Sequence, residues 1–266
     1  MFSQADLLDD WFESPQVKGA LAVNGVLGTW ADPYEPGTAY VMAHHSLGDV
    51  GDGHLGSWGF PEGGMGAVAA AIASSVRSLG VTIRTGARVA KVTVAPGSGR
   101  ATGVVLDNGD EITAKVIVTS LHPKTAFLDH VGRENLPADF AGDIERWKTR
   151  SGVVKINLAL GELPDFTAHL GTHLQEHHTG SVEMALSMVP STWSAEPHRE
   201  ELEKYADRVI DTYNEVAPNF KAAILHRDVV GPYEMEHDYG LIGGNIFHGE
   251  LSLEQLFHLR PAPRAA

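Results

Sequence analysis

The amino-acid sequence predicts a mixed α/β fold, in which a helix leads into a β-meander and then into a buried strand. Between Met65 and Leu79 apolar residues recur at spacings of three and four, the pattern of one helical face, and Gly80 stands where a glycine commonly ends a helix. The run Val116–Val118 is continuously apolar, which is typical of a strand buried on both faces of a parallel sheet. Helix and strand signals alternate here, and this alternation indicates the mixed class.

The stretch between that helix and the apolar run is predicted to be a meander. Asn108-Gly109 is a strong signal for a two-residue hairpin turn, and the tetrapeptide 96–99 (PGSG) breaks the preceding β-rich run. The strands that these turns separate are predicted at 81–85, 87–94, 101–107 and 111–120.

Other elements flank this central region. Ser3 is a candidate N-cap for a first helix, and a long amphipathic helix begins at Arg199 and is stopped by Pro218. Residues 24–57 are rich in glycine and proline and are predicted to form loops and short turns. No packed element is predicted after Gly243. The remaining predictions are a helix at 138–148, a strand at 152–160, and a loop-like region at 164–198 in which 182–189 is either strand or helix.

Composition limits the classes of function. The chain has 266 residues, a formal net charge of −14 and no cysteine. The acidic balance argues against nucleic acid as a partner, and the lack of cysteine excludes disulfides, thiolate catalysis and Cys-ligated metals. No signal peptide and no apolar run long enough to span a bilayer is found, so we expect a soluble, cytoplasmic protein.

Three glycines, Gly63, Gly64 and Gly66, open the predicted central helix, as in a nucleotide-binding turn. A dinucleotide fingerprint requires a strand immediately before its glycines, and Phe60-Pro61-Glu62 occupies that place instead. By itself the motif therefore does not predict the main pyrophosphate site.

Four stretches carry a resemblance to a known family, and together they cover most of the chain. They are PGTAYVMAHHSLGDV, GSWGFPEGGMGAVAAAI with GVTIRTGARVAKV, VIVTSLHPKTAFLDHVG, and DYGLIGGNIFHGELSLEQLFHLRP. The sequence resembles the FAD-dependent phytoene desaturase and amine oxidase superfamily, within it the phytoene dehydrogenase-like proteins of the pyridine nucleotide-disulfide oxidoreductase domain group. The resemblance concerns the central portion of these proteins.

The resemblance implies a two-domain flavoprotein fold, in which an FAD domain with a parallel sheet and a β-meander carries an inserted substrate domain. Residues 56–125 resemble the central segment of the FAD domain. Residues 1–55 and 126–250 resemble pieces of the substrate domain, and 251–266 resemble a return segment towards the FAD domain.

Some parts of the family pattern have no counterpart here. Family members begin with a strand–GxGxxG–helix unit that holds the pyrophosphate, and they end with a glycine-rich segment near the flavin ring. They also usually carry a longer insertion between the positions of Leu163 and Pro197. The resemblance therefore implies an incomplete or split flavoprotein, in which FAD binds weakly or not at all to this chain alone.

The resemblance also suggests cofactor-binding residues. The backbone of Gly63, Gly64, Met65 and Gly66 would approach the flavin or its ribityl chain, and the main chain of Val89 would meet the adenine. The alternatives are a tight turn at a helix start and an ordinary strand valine.

Candidate catalytic residues are His44, His45, His248 and Glu250, which the resemblance places in loops around a substrate cavity. A histidine beside a glutamate could transfer protons near neutral pH. The alternative is that these are surface or hydrogen-bonded loop residues.

The sequence contains partial signals for two other chemistries. His169, His173 and His177 are spaced four apart beside Glu176 and His178, a spacing that could chelate a metal on a helix. Glycines interrupt that window and no H-E-x-x-H motif occurs, so no metal site is predicted. A serine hydrolase elbow, G-x-S-x-G, is also missing, since His45-Ser46-Leu47-Gly48 lacks the first glycine.

The sequence thus predicts an FAD-dependent oxidoreductase-like protein that transfers a hydride from an apolar or amine-like substrate to flavin. The alternative is a non-catalytic remnant that binds a small ligand or serves in assembly without flavin. The edge at Val116–Thr119 would lack its parallel neighbours, so we expect a homo-oligomer or a partner chain to cover it.

Overall fold

The computed structural model describes residues 2–48, 51, 53, 59, 61–167 and 181–262, and for residues 181–188 and 258 it describes the backbone only. The chain forms two compact units. Unit 1 comprises residues 1–25, 33–146 and 258–266, and unit 2 comprises 26–32 and 147–257. Each contains one three-stranded antiparallel sheet, packed with helices, so the mixed α/β class is confirmed. The assignment of the four predicted segments to FAD and substrate domains stays a prediction.

Unit 1 begins with a helix that the sequence identifies locally. Ser3 Oγ accepts the Asp6 N–H, and the Asp6 carboxylate in turn accepts the Ser3 N–H, which completes a capping box. The helices of this unit are α1 (Gln4–Trp11), α2 (Pro15–Val26, whose last residue belongs to unit 2), α3 (Thr38–His45), α4 (Gly64–Ser78), a π-helix (Lys124–Gly132) and α5 (Ala138–Glu145). The prediction of loops throughout 24–57 was wrong at α3, which starts directly after Gly37.

The sheet of unit 1 is the predicted meander, with strands β1 (Val89–Val94), β2 (Ala101–Leu106) and β3 (Glu111–Thr113) in the order β1-β2-β3. Gly109 has φ +90°, as the predicted turn requires. Gly103 lies opposite Thr113, where a Cβ would come within 2.3 Å of the Ile112 carbonyl oxygen. A side chain there would push β3 away from β2.

Two strand predictions in unit 1 were wrong. Residues 81–85 form no strand, and the run Val116–Val118 has no regular secondary structure and pairs with no strand of the described residues. Val116 is 73% exposed and Val118 is 89% exposed, so the run is not a buried parallel strand. An apolar run predicts burial only where a neighbouring layer covers it, and no described element does so here.

Unit 2 is built on a sheet with the order β5-β4-β6, formed by β4 (Ser151–Leu160), β5 (Ser181–Pro190) and β6 (Ile224–Val230). Its other elements are α6 (Arg199–Val216), α7 (Phe220–Ala223) and α8 (Pro232–Tyr239). The even-numbered side chains of β4 pack against α6 and α7. This core consists of Val154, Ile156, Leu158, Leu160, Val189, Leu202, Ala206, Ile210, Ala217 and Phe220.

The segment after α8 contradicts the prediction that no packed element follows Gly243. It contains only short 3-10 turns, yet Asn245, Glu250, Gln255 and Leu256 are buried in it. Side-chain hydrogen bonds to the start of β4 hold this segment, and sequence periodicity does not register such bonds. Within the described ranges, none of the helices is both long and apolar enough to cross a membrane.

Candidate functional site

A cavity of about 460 Å³ lies in unit 2, on the face of the sheet opposite α6. Side chains alternate between the two faces of a strand, so β4 places its even-numbered residues in the core and Val153, Lys155 and Asn157 in the cavity. Asp228 and Val230 of β6 extend this face. The remaining lining residues are Met235, Tyr239, Leu241 and Ile246.

The polar groups of the cavity are concentrated on the two strands. Asn157 lies directly opposite Asp228 in the antiparallel register, and its Nδ2 donates to Asp228 Oδ2 at 3.5 Å, a weak bond. Lys155 lies two residues along β4, opposite Val230. A carboxylate, an amide and an ammonium group therefore lie along one side of an otherwise mainly apolar cavity.

The wall made by Leu241 and Ile246 belongs to a tightly held turn. The buried Asn245 side chain accepts the N–H groups of Phe247 and Gly249 at 3.0 Å each, and its Nδ2 donates to the Ser151 carbonyl at 3.2 Å. One side chain thus closes the turn and ties it to the start of β4. The position of the wall depends on these bonds.

Glu250 anchors the next part of the same segment. Its carboxylate accepts three hydrogen bonds from Arg150: the backbone N–H at 2.7 Å, Nε at 2.8 Å and Nη2 at 2.9 Å. Further along, Gln255 bonds both the N–H and the carbonyl of Lys148. Hydrogen bonding from Lys148 Nζ also holds the pKa of Glu254 below its ordinary value.

The predicted catalytic residues His248 and Glu250 are both in this segment. His248 has φ +56°, and its carbonyl accepts the Trp147 indole N–H at 2.6 Å. Both carboxylate oxygens of Glu250 are engaged by Arg150, and the side chain is only 1% exposed. For Glu250 this geometry favours the structural alternative over proton transfer. The catalytic assignment of the two residues stays a prediction.

His44 and His45 lie in unit 1, in the last turn of α3 and not in a loop as expected. His45 Nδ1 is 2.8 Å from the Val41 carbonyl oxygen, and the His44 ring contacts the rings of Tyr40 and His45. These contacts are local to one helix. A catalytic role for either histidine stays a prediction.

The predicted cofactor-binding residues lie at the start of α4 and of β1. Gly63 and Gly64 have φ +82° and +74°, and no side chain in the described part of the chain caps the helix N-terminus. A Cβ at Gly64 or Gly66 would meet no atom of the described residues within 4 Å, and Met65 beside them is 71% exposed. Val89 is the first residue of β1, half-buried opposite Leu106. Binding of FAD by these residues stays a prediction.

The cavity was not predicted from the sequence, although a signal for it exists. Lys155 and Asn157 interrupt an apolar strand at alternate positions, which indicates a polar face of β4. The histidines of 169–178 lie outside the described residues. Among the residues that the structure describes, no three histidine or acidic side chains cluster as metal ligands would.

Comparison with known proteins places the chain in a family. The profile of the family described as Flavin containing amine oxidoreductase matches residues 22–207. The chain belongs to this family. In the rat (Rattus norvegicus), "Pyridine nucleotide-disulfide oxidoreductase domain-containing protein 2" is 35% identical over 311 aligned positions, covering 97% of this chain and 53% of the relative. The mouse (Mus musculus) protein of the same name is 34% identical with the same coverage.

Two solved structures share the fold. An oxidoreductase from Methanosarcina mazei superposes with a TM-score of 0.58 at 15% identity, over 87% of this chain and 56% of its own. Cyclohexylamine oxidase from Brevibacterium oxydans superposes with a TM-score of 0.51 at 20% identity, over 90% of this chain and 54% of its own. The chain therefore spans about half the length of the proteins it matches.

Proposed function

We propose that this chain provides the substrate-binding part of an FAD-dependent oxidoreductase, together with one contact of the cofactor site. Membership of the flavin-containing amine oxidoreductase family supports the reaction class. The observation that carries the substrate assignment is the unit 2 cavity, where apolar side chains from β4, β6 and the 241–246 wall accompany a carboxylate. Such a cavity suits an apolar or amine-like molecule.

The start of α4 fits one part of an FAD site. The Gly64 N–H donates to the Pro61 carbonyl at 2.9 Å, and none of the described side chains caps the N–H groups that follow, so we propose that these contact a phosphate or the ribityl chain. One helix terminus contributes about 0.3–1 kcal/mol towards holding an anion, far less than a dinucleotide needs. FAD, when bound, supplies the hydride acceptor. We propose that the chain alone binds it weakly.

In the cavity, Asp228 is the group that selects for charge. We propose that its carboxylate attracts the ammonium form of an amine while Val153, Val230 and Met235 contact the hydrocarbon part. The name of one structural neighbour, cyclohexylamine oxidase, supports an amine of this kind. Lys155 on the same face would disfavour a second positive charge, so a monoamine fits better than a diamine.

Binding of cyclohexylamine tests this substrate class, with cyclohexanol as the uncharged counterpart. Because the Asp228 residue is exposed, we expect wild type to bind the amine up to about fivefold more tightly than the alcohol, a difference of up to about 1 kcal/mol, and Asp228→Asn to lose that preference. Glu215→Gln removes one negative charge from the exposed face of α6 and should retain it. Equal binding of amine and alcohol by wild type would refute the role of Asp228.

Cofactor binding is tested by colour and by thermal melting. If FAD binds, the protein shows the flavin absorbance bands, and FAD at 100 times its dissociation constant adds about 2.7 kcal/mol of stability. The second proposal is a ligand-binding remnant without flavin, and it is supported by the cavity, whose lining residues all belong to unit 2 while the glycines at the start of α4 belong to unit 1. A colourless protein whose melting FAD does not change, but which still binds cyclohexylamine, would support the remnant.

A further inference from the structure

Lys155 brings a positive charge to a strand face that otherwise gives the cavity an apolar side chain and an amide. The residues of β4 that line the cavity are Val153, Lys155 and Asn157. Opposite Lys155 lie Val230 on β6 and the backbone of Ala185 on β5. The row of three residues that crosses the sheet at Lys155 therefore carries one charge, and that charge is positive.

The neighbouring row of the same face is acidic. It lies two residues along β4, where the backbone of Asn157 is opposite those of Asp228 on β6 and Glu183 on β5. Two residues of a strand span about 7 Å, so an acidic and a basic position follow each other at that distance along the cavity. Within the described residues, the hydrogen bond that Asp228 accepts comes from Asn157 and not from Lys155. The cavity thus presents two opposite charges at two separate places.

A ligand that is complementary to both rows has a positive group at one end and a negative group at the other. Hydrocarbon must join the two groups, because the cavity between and beside them is lined by apolar side chains such as Met235, Leu241 and Ile246. The order of the charges also excludes other ligands. A second ammonium group would meet Lys155, which disfavours a diamine, and an amine with no second group would leave Lys155 without a contact to the ligand.

We propose that the cavity takes an ω-amino acid, an amine with a carboxylate at the far end of its hydrocarbon part, and that Lys155 is the residue that selects it. The ammonium group of the ligand lies at Asp228, the hydrocarbon crosses to the next row, and the carboxylate lies at Lys155. This inference rests on the proposed amine-binding role of the cavity and adds a second recognition point to it. An α-amino acid cannot reach both rows, because its two charged groups share one carbon.

Three related ligands, titrated into the protein and followed by NMR, test this class. Cyclohexylmethylamine carries the amine alone, tranexamate adds a carboxylate at the opposite end of the ring, and cyclohexylglycine, an isomer of tranexamate, carries the carboxylate beside the amine. Lys155 is half-buried and its contact with the ligand is open to water, so we expect wild type to bind tranexamate about two- to fivefold more tightly than either of the others. Equal binding of tranexamate and cyclohexylmethylamine, or tighter binding of cyclohexylglycine, would overturn the proposal.

A pair of matched variants assigns the preference to Lys155. Lys155→Met keeps an unbranched apolar side chain and removes the charge, so the preference for tranexamate over cyclohexylmethylamine should disappear while the amine binds as tightly as before or more tightly. Lys204→Met removes the same charge from the exposed side of α6, on the opposite face of the sheet, and should retain the preference. A preference that Lys155→Met leaves unchanged, or that falls equally in both variants, would contradict the role of Lys155.

The role of Asp228 is measured separately from that of Lys155. Asp228→Asn should weaken tranexamate and cyclohexylmethylamine by the same factor and leave the ratio of their affinities unchanged, because both ligands carry the same amine. If wild type does not distinguish an amine from an alcohol, the proposed amine binding fails. If it does so but binds tranexamate no better than cyclohexylmethylamine, this inference alone fails.

Reversing the charge at position 155 gives the sharpest test. Lys155→Glu should favour bis(aminomethyl)cyclohexane, in which a second amine replaces the carboxylate, over tranexamate, and a retained preference for tranexamate would overturn the proposal. Glu183→Gln asks whether Lys155 serves an ion pair within the sheet instead, since the backbone of Glu183 lies in the neighbouring row. A preference for tranexamate that appears only in Glu183→Gln, and not in wild type, would also overturn it.

Discussion

Removing Arg150 from its ion pair with Glu250 should lower the free energy of unfolding more than neutralising Glu250 does. The Glu250 side chain is 1% exposed, whereas the Arg150 side chain is 54% exposed. Arg150→Met removes the guanidinium and leaves a buried carboxylate that, among the described residues, keeps its bond from the residue 150 backbone N–H. Glu250→Gln leaves a guanidinium that water can reach.

The sizes of the two free-energy costs follow from this difference in side-chain exposure. Removing one partner so that a buried charge remains uncompensated costs about 3–5 kcal/mol, and we expect Arg150→Met to fall in that range. A hydrogen bond to a charged group is worth about 1.5–3 kcal/mol. In Glu250→Gln the amide oxygen can still accept one such bond and the arginine is half-hydrated, so we expect a cost of about 1–2 kcal/mol. The double variant should be more stable than Arg150→Met alone, because a neutral amide is less costly to bury than a carboxylate.

Urea unfolding followed by tryptophan fluorescence measures these free energies. Trp147 is a suitable probe, because it is buried and its indole N–H donates to the same segment, at His248. The slopes with urea should be equal among variants, so that midpoints can be compared. If Arg150→Met costs no more than Glu250→Gln, or if the double variant is less stable than Arg150→Met, the burial argument fails.

Three further predictions concern the stability of unit 2. Gly244→Ala should lower the free energy of unfolding in urea by about 3 kcal/mol, because at φ +68° its Cβ would lie 2.6 Å from a backbone atom of α8. Gly240→Ala is the control: Gly240 has nearly the same φ, +69°, but open space around it, so we expect a loss of about 1 kcal/mol. Equal losses in the two variants would contradict the steric reason. Phe220→Ala should cost about 3–5 kcal/mol, because the ring is fully buried in the core, and a cost below 2 kcal/mol would mean that the core closes around the gap. The hydrogen bond from Lys148 lowers the pKa of Glu254, so the ion pair stabilises the fold above the unfolded pKa near 4.5, and this stabilisation is lost as pH falls through the lower folded pKa. Glu254→Gln should therefore reduce the fall in melting temperature between about pH 5 and 3. An unchanged pH profile would contradict this.

The parts of the fold that sequence reasoning predicted are those with local signals. The capping box at Ser3, the end of α4 at Gly80 and the turn at Gly109 each depend on residues within a few positions of one another. Helix α3 was missed although it is equally local. Its eight residues lie inside a glycine- and proline-rich window, and the flanking residues dominated the interpretation. Averaging over a long window hides a short helix that begins sharply at a glycine.

The parts that could not be predicted depend on contacts between distant residues. Arg150 and Glu250 meet across 100 positions, and nothing near either residue indicates its partner. The sequence did single out Glu250, but for proton transfer, because a carboxylate beside His248 has the same local appearance whether it is catalytic or paired. The exposure of Val118 likewise depends on which layer lies beside it. Local apolarity alone does not determine burial.

The two faces of β4 should separate stability from recognition. Ile156 and its even-numbered neighbours contact α6 and α7 and are fully buried, so changes there act on folding. Lys155 and Asn157 face the cavity, where Asn157 bonds Asp228, so we predict that changes there act mainly on the proposed binding. Because one strand fixes both faces, a register shift of one residue would exchange them and destroy core and cavity together. The Asn245 and Arg150–Glu250 contacts at the beginning of β4 oppose such a shift, so the segment after α8 helps to keep Lys155 and Asn157 on the cavity face.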